Sequence, residues 1–426
     1  MNEDGAHDAR VLAFLRQCFW AAVAAAHPSR VVPPGLPPPP RGRTIVVGAG
    51  KASAAMAAAV EDAWPADLPL TGLVITRHRH GVPTRRIEVV EGGHPLPDES
   101  GASAAELITC LAASAGKDDL LLALVSGGGS SLLGLPAQGL DFSELRVVTA
   151  ALLRSGARIE DINVVRKHFS RNLGGQLVLR TGTSPVHVLL ISDVTGDDPS
   201  DIASGPFAPD PSTWDDVHRI LLRHGIEVSE RARVLLERGL RGAIPDTPKP
   251  GDSRFAAVHH SVVASGRTAL DAARDVLTRE GVRVIDLSDK VTGEAREVAA
   301  THSRQLLELR PDLRPLALVS GGETTVTVRG AGKGGRNSEY ALGLLLSLRG
   351  ERGIFGLAAD TDGWDGSGPH AGALIAPNSL RHIGEENARA ALADNDSRTV
   401  FEQAGGLLFT GATGTNVNDL RIVLAL

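Results

Sequence analysis

Two glycine-rich loops of similar sequence, each following a short apolar run, hold the residues best suited to chemistry. Residues 126–131 read Ser-Gly-Gly-Gly-Ser-Ser, and residues 320–325 read Ser-Gly-Gly-Glu-Thr-Thr. Glycines at the end of a buried strand allow backbone amides to approach a ligand closely. The repeated pattern suggests two related halves that face one site. The predicted ligand contacts are Ser126, Gly127, Gly128, Ser130, Gly321, Gly322 and Glu323.

A further glycine-rich loop follows at residues 330–337 and contains two cations, Lys333 and Arg336. A helical pattern begins directly after it. Backbone amides and cations at the start of a helix favour the binding of an anion. The planar fork of an arginine can clamp a carboxylate or a transferring phosphoryl group. We therefore predict ligand contacts from Arg336 and from its neighbours Gly334 and Asn337.

The turn Gly48-Ala49-Gly50-Lys51 lies between a predicted strand and an alanine-rich helix. A P-loop requires Ser or Thr after the lysine, where this chain has Ala52. A dinucleotide fingerprint requires Gly or Ala at the position of Ser53. The turn satisfies neither motif, but its strand–glycine–helix geometry still favours an anion. Because a lysine at a helix N-terminus opposes the helix dipole, we assign Lys51 a functional role, with Gly48 and Gly50 beside the ligand.

Two clusters of aspartates follow predicted buried strands. They are Asp193, Asp197, Asp198 and Asp201 after one strand, and Asp360, Asp362 and Asp365 after another. Such carboxylates suit Mg²⁺, which takes one or two of them together with substrate phosphates, or a general base near a hydroxyl group. Asx turns and helix caps are the structural alternative, which we favour for Asp201 and Asp365. We predict that Asp193 is catalytic and that Asp362 and Asp198 are metal ligands.

The remaining polar motifs are less specific. The basic run Arg166-Lys167-His168 has the character of a solvated helix face. His94 is held in a turn before Pro95, and structural and functional roles are equally favoured for it.

Glycine-rich loops, isolated cations and aspartate clusters are together typical of enzymes that transfer phosphoryl groups. This reaction needs positioning of the substrates and neutralisation of charge rather than a covalent nucleophile. No GxSxG or HExxH motif competes with this interpretation.

Composition limits the class of protein. The chain has 426 residues, 42% of them hydrophobic and 22% charged, with a formal net charge of -6. The acidic balance disfavours nucleic acid as a partner. Cys18 and Cys110 have no CxxC neighbours, so a reducing cytoplasm is the simplest location. Residues 11–26 are predicted to form an amphipathic helix that packs Leu12, Leu15 and Phe19 on one side, so neither a membrane span nor a signal sequence is expected.

Strands alternate with helices along most of the chain. Strands are predicted at residues 44–47, 73–76, 87–90, 120–125, 186–191, 258–264, 283–286, 316–319, 354–359 and 420–424. This alternation indicates βαβ units and a mainly parallel sheet. The proline tract within residues 31–43 predicts an extended connector. Residues 245–253, rich in proline, are the best linker, so the predicted domains are 1–245 and 254–426, the second beginning with the strand at 258–264.

Many short motifs of the chain match one known family. They are GAGKAS at Gly48, GGHPLPDES at Gly92, LVSGGGSSLL at Leu124, INVVRKHFS at Ile162, ISDVTGDD at Ile191 followed by ASGP at Ala203, GEAREVA at Gly293, GRNSEYAL at Gly335, DTDGWDG at Asp360 and GTNVNDL at Gly414. With these motifs in order from the first helix to the last strand, the chain resembles the class II glycerate 2-kinases, the family with a MOFRL C-terminal domain.

The resemblance implies a fold and a reaction. The fold would be α/β, with an N-terminal Rossmann-like domain built on a mainly parallel sheet, a smaller C-terminal MOFRL domain, and an active-site cleft between them. The reaction would be the ATP-dependent phosphorylation of D-glycerate at its 2-hydroxyl group, with Mg²⁺. Lys51 and Arg336 would neutralise charge on the transferring group and the glycerate carboxylate, Asp193 would orient or deprotonate the hydroxyl group, and Asn416 would contact substrate or ATP.

Further expectations concern partners and alternative functions. The predicted partners are D-glycerate and ATP, without nucleic acid or membrane, and a homodimer is compatible with the sequence. An NAD(P)H-dependent hydroxypyruvate reductase is the main alternative, because Arg77 and Arg79 could meet a 2′-phosphate; a non-catalytic sugar-acid sensor is a third. The family usually has Lys-Gly-Gly-Arg where this chain has Leu173-Gly174-Gly175-Gln176, so a kinase for another short hydroxy acid is also an alternative.

Overall fold

A six-stranded sheet is built from the first part of the chain in the computed structural model, which describes residues 3–309, 313–366 and 368–426. Its strands are β1 (Thr44–Ala49), β2 (Leu70–Arg77), β3 (Ile87–Gly92), β4 (Leu120–Ser126), β5 (Val186–Ile191) and β6 (Val258–Ala264). They are arranged in the order β3-β2-β1-β4-β5-β6. The pairings among the first five strands are parallel. The predicted parallel sheet is therefore confirmed, and β1 and β4 are buried along their whole length, as is typical of strands covered on both faces.

Strand β6 is where the predicted assignment was wrong. It was expected to open the second domain, but it lies beside β5 at the edge of the first sheet. A proline-rich stretch indicates an irregular connecting segment. It does not indicate which sheet the next strand will join. Partial burial along β6 is what an edge position produces.

Eight helices belong to or adjoin this sheet within the described residues. They are α2 (Pro28–Gly35), α3 (Ser53–Ala63), α4 (Glu99–Ala113), α5 (Gly129–Leu132), α6 (Phe142–Arg154), α7 (Ile159–Phe169), α8 (Trp214–Arg223) and α9 (Glu230–Leu240). Helix α2 corrects the extended connector that was predicted from residue 31 onward. Pro28 occupies its first position, where proline is well tolerated, and burial of Val32 anchors it.

A second sheet is built from the last part of the chain. Its strands are β7 (Arg283–Asp286), β9 (Leu316–Ser320), β11 (Ile354–Asp360), β12 (Gly372–Ile375), β13 (Leu407–Leu408) and β14 (Asp419–Ala425), while β8 (Gly293–Glu294) and β10 (Thr324–Thr325) form a separate pair. The sheet order is β13-β12-β11-β14-β9-β7. Only the β7–β9 pairing among these six strands, in the described part of the chain, is parallel.

The two sheets therefore differ in topology, and the suggestion of two related halves was wrong. The first Ser-Gly-Gly loop leads into helix α5, whereas the second leads into strand β10. Similar loop sequences arise because both loops follow buried strands and must let the backbone turn sharply. They do not indicate a repeated fold.

The helices around the second sheet are α1 (Glu3–Ala25), α10 (Gly266–Arg279), α11 (Ala295–Glu308), α12 (Arg336–Leu348), α13 (Ser379–Ile383), α14 (Glu385–Ala393) and α15 (Ser397–Ala404). Helix α12 is buried along nearly all of its length, and its leucines form the centre of the apolar core. It begins at Arg336 rather than at Glu339, so the predicted loop arginine is the first residue of a buried helix.

Contacts between residues divide the chain into two compact units. We call Val31–Ser192 with Asp197–Val263 the parallel-sheet unit, and Met1–Arg30 with Asp193–Gly196 and Ala264–Leu426 the mixed-sheet unit. These limits differ from the predicted domains at the first helix, at residues 193–196 and at residues 246–263. The first helix belongs to the mixed-sheet unit because α1 packs against α10 and β11.

The stretch Gly5–Gly35 is long and apolar enough, by length and composition alone, to cross a membrane. This is weak evidence, because core helices meet the same criterion. In the structure Leu15, Phe19 and Val23 of α1 are buried, and Leu12 is half-buried, as predicted for an amphipathic packing helix.

A buried histidine of α11 makes the stability of the mixed-sheet unit depend on pH. His302 lies with its Nδ1 2.8 Å from the Tyr340 hydroxyl group, and burial, aided by the charge of Arg421, lowers the pKa of His302 to about 4. Because the folded pKa lies below the unfolded one, this contribution to stability is complete above about pH 6.5 and is lost as pH falls toward 4.

We expect the free energy of unfolding of wild type to fall by up to about 3 kcal/mol more than that of His302→Gln between pH 7 and pH 4. Urea unfolding at several pH values measures this difference. The exposed His382→Gln is the matched control and should follow wild type. Equal pH slopes for wild type and His302→Gln would contradict the assignment.

Candidate functional site

The turn that carries Lys51 lies at the carboxyl end of β1 and contacts the loop after β4. The Lys51 amide donates a hydrogen bond to the Gly127 carbonyl oxygen at 2.8 Å, and the Ala52 amide donates one to Ser126 Oγ at 3.0 Å. The two glycine-rich loops predicted in this part of the chain are thus joined. Ser126 is fully buried, and its hydroxyl group fixes the start of α3.

Gly48 and Gly50 are required by close packing of the backbone. Gly48 lies inside β1, where a Cβ atom would come within 2.1 Å of the Leu124 carbonyl oxygen. At Gly50, with φ of +145°, a Cβ atom would come within 2.1 Å of Ser126 Oγ. A side chain at either position would push β1 and β4 apart, so the glycines keep the Lys51 turn against the loop after β4.

Gly128 places Lys51 beside a histidine. Its φ is +83°, and a Cβ atom there would lie 3.0 Å from His94 Cδ2 and 3.3 Å from Lys51 Cγ. The loop after β4 therefore packs against the Lys51 side chain, and His94 packs against the same glycine. Lys51 itself is half-buried at the edge of the sheet, where an anion would find a cation together with backbone amides.

Comparing alanine substitutions at Gly128 and Gly156 separates the packing of Gly128 against Lys51 and His94 from the backbone strain of a positive φ angle. Gly128→Ala is expected to displace Lys51 and His94 and to lower kcat at least about tenfold, since small displacements of positioning groups are costly. Gly156 is the matched control, because its φ is +73° and an added Cβ atom would meet nothing within 4 Å. Both alanine variants should lose about 1 kcal/mol of stability. Equal activity of the two variants would contradict the account.

Ser130 belongs to a chain of polar side chains on three segments. Its Oγ lies 2.8 Å from Ser204 Oγ, and Ser204 Oγ donates to Asn163 Oδ1 at 3.0 Å. Ala203 and Ser204 have positive φ angles of 51° and 57°, a strained conformation for residues other than glycine that is frequent at functional sites. Asn163 and Ser204 were not predicted as site residues, although both lie within motifs of the family resemblance.

Arg336 is held by two buried carboxylates of the mixed-sheet unit. Its Nε donates to both carboxylate oxygens of Asp419 at 3.0 Å, and Nη2 donates to Asp360 Oδ2 at 2.6 Å. Nη1 lies 3.4 Å from the half-exposed carboxylate of Glu323. Burial opposes the charge, but Asp419 and Asp360 outweigh it and hold the pKa of Arg336 well above its ordinary value.

This arrangement changes how Arg336 can act. The Nε–Nη2 edge that could have clamped a ligand is bound to Asp419 and Asp360, and the Nη1 side is the one directed toward Glu323. The cation is therefore permanently charged and fixed in orientation. A fixed cation stabilises charge that develops during a reaction without having to reorganise. Asp419 lies 83 residues away in sequence, so spacing gave no signal for this contact.

Two neighbours complete the setting of Arg336. Asn337 Nδ2 donates to Asp419 Oδ1 at 2.7 Å, and Asn337 Oδ1 is buried without a hydrogen-bond partner in the described part of the chain. Asp365 accepts hydrogen bonds from the amides of Asn337 and Ser338 at 2.9 and 2.8 Å. Asp365 thus caps α12, the structural role that the sequence favoured for it.

Asp193 is bound by two asparagines of the GTNVNDL motif. Asn416 Nδ2 donates to Asp193 Oδ2 at 2.7 Å, and Asn418 Nδ2 donates to the Asp193 carbonyl oxygen at 2.6 Å. Asn418 also accepts from Arg336 Nη2 at 3.4 Å. Of the predicted residues, Asp193, Asn416 and Arg336 thus lie in one polar network, and Asn418 is the link that the sequence analysis missed.

The other predicted glycines of the mixed-sheet unit border this network. The Gly321 amide donates to the Ser288 carbonyl oxygen at 2.9 Å, and its own carbonyl accepts from Arg421 Nη1 at 2.9 Å. Gly322 packs against the backbone of Val291, and Gly334 packs against Ser397 Oγ. These glycines hold the loops that carry Glu323 and Arg336.

The two predicted metal ligands have different surroundings. Asp362 is buried, and its Oδ1 accepts from the Trp364 amide at 2.8 Å. Asp198 is exposed, and its Oδ1 accepts from the Ser200 amide at 2.8 Å. No group of three or more His, Cys, Asp or Glu side chains suited to a metal exists among residues 3–309, 313–366 and 368–426. The donors fit a Mg²⁺ ion that arrives with substrate phosphates and takes one carboxylate, a role that suits Asp198 better than Asp362.

Known proteins resemble this chain over nearly its whole length. Residues 14–237 match the family of a domain of unknown function, DUF4147, and residues 316–419 match the MOFRL family. The D-glycerate 2-kinase of Thermotoga maritima is 37% identical over 411 residues, which cover 95% of each chain. A protein of Agrobacterium vitis, provisionally named hydroxypyruvate reductase, is 46% identical over 418 residues, which cover 96% of this chain and 93% of that protein.

A solved structure agrees with these relatives. The crystal structure of a glycerate kinase from Thermotoga maritima superimposes with a TM-score of 0.84 at 34% sequence identity. The superposition covers 98% of this chain and 100% of that chain. The likeness therefore extends over both sheets.

Proposed function

Because the chain belongs to the DUF4147–MOFRL family that includes the glycerate kinases, we propose that it transfers the γ-phosphoryl group of ATP to the 2-hydroxyl group of D-glycerate. The family predicted from the motifs is thereby confirmed. The products are ADP and 2-phosphoglycerate. The proposal assigns the chain to the phosphotransferases that act on an alcohol group, with small molecules as substrates.

The observation that carries the proposal is the fixed guanidinium of Arg336. Phosphoryl transfer needs positive charge at a set position while charge spreads over the transferring group. Arg336 meets this need because Asp360 and Asp419 hold one edge of it within 3.0 Å. A hydride transfer has no comparable use for a cation that is locked between two carboxylates.

The remaining roles follow from the separate geometry of each unit. In the parallel-sheet unit, Lys51 neutralises phosphate charge while the loop amides around Gly128 bind phosphate oxygens. In the mixed-sheet unit, Asp193 accepts the proton of the 2-hydroxyl group of D-glycerate. The oxygen of that hydroxyl group forms the new bond to the γ-phosphorus of ATP. The bond from that phosphorus to the β–γ bridging oxygen breaks, and the electron pair leaves on ADP. Asn416, bonded to Asp193 Oδ2 at 2.7 Å, orients this carboxylate.

Magnesium is part of the proposal. When bound, Mg²⁺ would neutralise and orient the phosphate groups of ATP. Asp198 is the residue that we assign to hold it, since its carboxylate is exposed and its Oδ1 accepts only a local amide hydrogen bond among the described residues. We assign Asp362 to the loop that it already braces through the Trp364 amide. We place the reaction in the cytoplasm, in keeping with two free cysteines, Cys18 and Cys110.

A coupled assay tests the proposal and its regiochemistry. The protein is incubated with Mg·ATP and D-glycerate, and the product is passed to enolase with and without phosphoglycerate mutase. We expect enolase to consume the product directly, because 2-phosphoglycerate is its substrate. A product that requires the mutase would mean transfer to the 3-hydroxyl group, and the absence of ADP would refute the kinase assignment.

The reductase alternative has weaker support in the structure. Arg77 closes β2, which disfavours the ribose hydroxyl of NADH but is compatible with the 2′-phosphate of NADPH. Ser53 takes the third fingerprint position, is fully buried and donates to the Leu124 carbonyl oxygen at 3.1 Å. We therefore expect no saturable change in NADPH fluorescence on titration with the protein. Saturable binding together with reduction of hydroxypyruvate would favour the reductase.

A further inference from the structure

Arg166 of α7 is a buried cation for which the described residues provide no counter-charge. It is 9% exposed, although the sequence predicted a solvated helix face. No carboxylate or other acceptor within residues 3–309, 313–366 and 368–426 hydrogen-bonds to its guanidinium. Burial lowers the pKa of Arg166 to about 10, so the group stays charged at neutral pH. A buried charge without a partner is costly, and a ligand anion is one way to compensate it.

The next residue along α7 shows that the fold can compensate a cation here. Lys167 Nζ lies 3.2 Å from Asp210 Oδ1 and 3.8 Å from Asp201 Oδ1. Its charge is therefore matched within the parallel-sheet unit. Arg166 lies on the same helix but has different surroundings, and the carboxylates of Asp210 and Asp201 do not contact its guanidinium. The uncompensated charge is thus specific to one side of α7.

The environment of Arg166 is a narrow, partly open cavity, of which about 10 Å³ admits a water-sized group. Its lining includes Arg166, Ser130, Ser131, Ser170 and Leu173. With Thr149, four residues that carry hydroxyl groups line the same space as the guanidinium. Leu173 forms an apolar side of the cavity. Arg166 is the one cation among the lining residues. The chemistry is that of a small anion site beside an apolar wall.

The cavity adjoins the loop that supports Lys51. Ser131 Oγ donates to the Gly128 carbonyl oxygen at 3.1 Å, and Gly128 packs against Lys51 and His94. On the other side, Gln176 Nε2 donates to the Ser170 and Lys167 carbonyl oxygens at 2.6 and 3.2 Å. Gln176 thereby fixes the end of α7.

We propose that Arg166 binds the carboxylate of the hydroxy acid. This inference rests on the proposed kinase function and adds a residue that recognises the acceptor substrate. The planar guanidinium matches a carboxylate in two parallel hydrogen bonds. The cavity is too narrow for the triphosphate of a nucleotide, so the guanidinium meets a single carboxylate group at the open side. Arg166 thus selects hydroxy acids over uncharged alcohols and leaves Lys51 to the phosphate groups.

The test compares ligand binding by wild type, Arg166→Gln and Arg166→Lys. Isothermal titration calorimetry measures the Kd of D-glycerate, of its uncharged amide D-glyceramide and of Mg·ATP. For Arg166→Gln we expect the Kd of D-glycerate to rise about 10- to 100-fold, the effect of losing hydrogen bonds between charged groups. The Kd values of D-glyceramide and Mg·ATP should change less than about threefold. Arg166→Lys, which keeps the charge but not the fork, should fall between wild type and Arg166→Gln.

A stability measurement separates ligand recognition from a structural role. Because Arg166 lacks a counter-charge among the described residues, we expect the Tm of Arg166→Gln to equal or exceed that of wild type. A residue that only supports the fold would lower the Tm and weaken all ligands alike. Arg154→Gln, at an exposed position of α6, is the matched control and should leave every Kd unchanged. If Arg166→Gln does not fold, the ligand series on Arg166→Lys decides the question.

The outcomes distinguish this inference from the function on which it rests. A wild-type protein that neither binds nor phosphorylates D-glycerate would refute the proposed function, and the inference with it. A wild-type kinase in which Arg166→Gln weakens Mg·ATP instead would assign Arg166 to the nucleotide phosphates and overturn the inference alone. Equal losses for the acid and its amide, or no loss at all, would also overturn it.

Discussion

Arg336→Ala is expected to abolish measurable kinase activity, with kcat lowered by at least about 10³-fold, the range found when an arginine that stabilises a transferring phosphoryl group is removed. It is also expected to destabilise the mixed-sheet unit by about 3–5 kcal/mol, because Asp360 and Asp419 would be left as buried carboxylates without this partner. Both carboxylates now lie within 3.0 Å of the guanidinium. The two effects have one cause, since the contacts that hold the cation also support the fold.

Arg336→Lys separates the two effects. A lysine keeps one positive charge near Asp360 and Asp419 but cannot donate to both and also present a third nitrogen toward Glu323. We therefore expect most of the stability to return while kcat stays at least about 10²-fold below wild type. The exposed Arg329→Ala, in the loop before α12, is the control for loss of charge and should behave as wild type. Recovery of full activity in Arg336→Lys would show that charge alone is needed.

Lys51→Met is expected to lower kcat by about 10²- to 10³-fold, the usual consequence of removing one preorganised group that stabilises transition-state charge. Stability should change by less than about 1 kcal/mol, because the half-buried side chain lies at the edge of the sheet and methionine keeps most of its apolar contacts. Steady-state kinetics and thermal unfolding measure the two quantities. This combination, a large kinetic effect with little change in stability, differs from that expected for Arg336→Ala.

The control for Lys51 is Lys117→Met, which removes an exposed lysine from the same unit. Lys117→Met should leave kcat and the unfolding midpoint unchanged. Lys51→Arg should recover only part of the activity, since a planar guanidinium differs from an ammonium group in size and in the directions of its donors. A folded Lys51→Met enzyme that retains more than a third of wild-type kcat would contradict the role assigned to Lys51.

Local patterns predicted the elements that carry the parallel-sheet unit. Runs such as those of β1 and β4 consist almost wholly of apolar residues between glycine-rich turns, and this pattern has few alternatives to a buried parallel strand. Because the carboxyl ends of neighbouring parallel strands share an edge, pairing of β1 with β4 requires the Lys51 turn and the Ser126 loop to lie close together. The hydrogen bond from Lys51 to Gly127 bears this out.

Contacts between distant segments could not be predicted in the same way. The ion pairs of Arg336 with Asp360 and Asp419 span 24 and 83 residues, and no local pattern encodes them. The pairing of β6 with β5 and the antiparallel order of the second sheet have the same cause, since each depends on which distant strand is adjacent. The burial of Arg166 was missed because a charged run on a helix is usually solvated.

The central claim, transfer of phosphate from ATP to the 2-hydroxyl group of D-glycerate, is tested most directly by ³¹P NMR of the complete reaction. The account predicts a new phosphate-ester resonance split into a doublet, because phosphorus on the 2-oxygen couples to the single hydrogen of the adjacent carbon. Within the time that wild type needs to complete the reaction, the resonance should stay undetectable with Arg336→Ala and reach only a small fraction of the wild-type intensity with Lys51→Met. A triplet would place the phosphate on the 3-oxygen, and a wild-type spectrum without any new ester resonance would contradict the account.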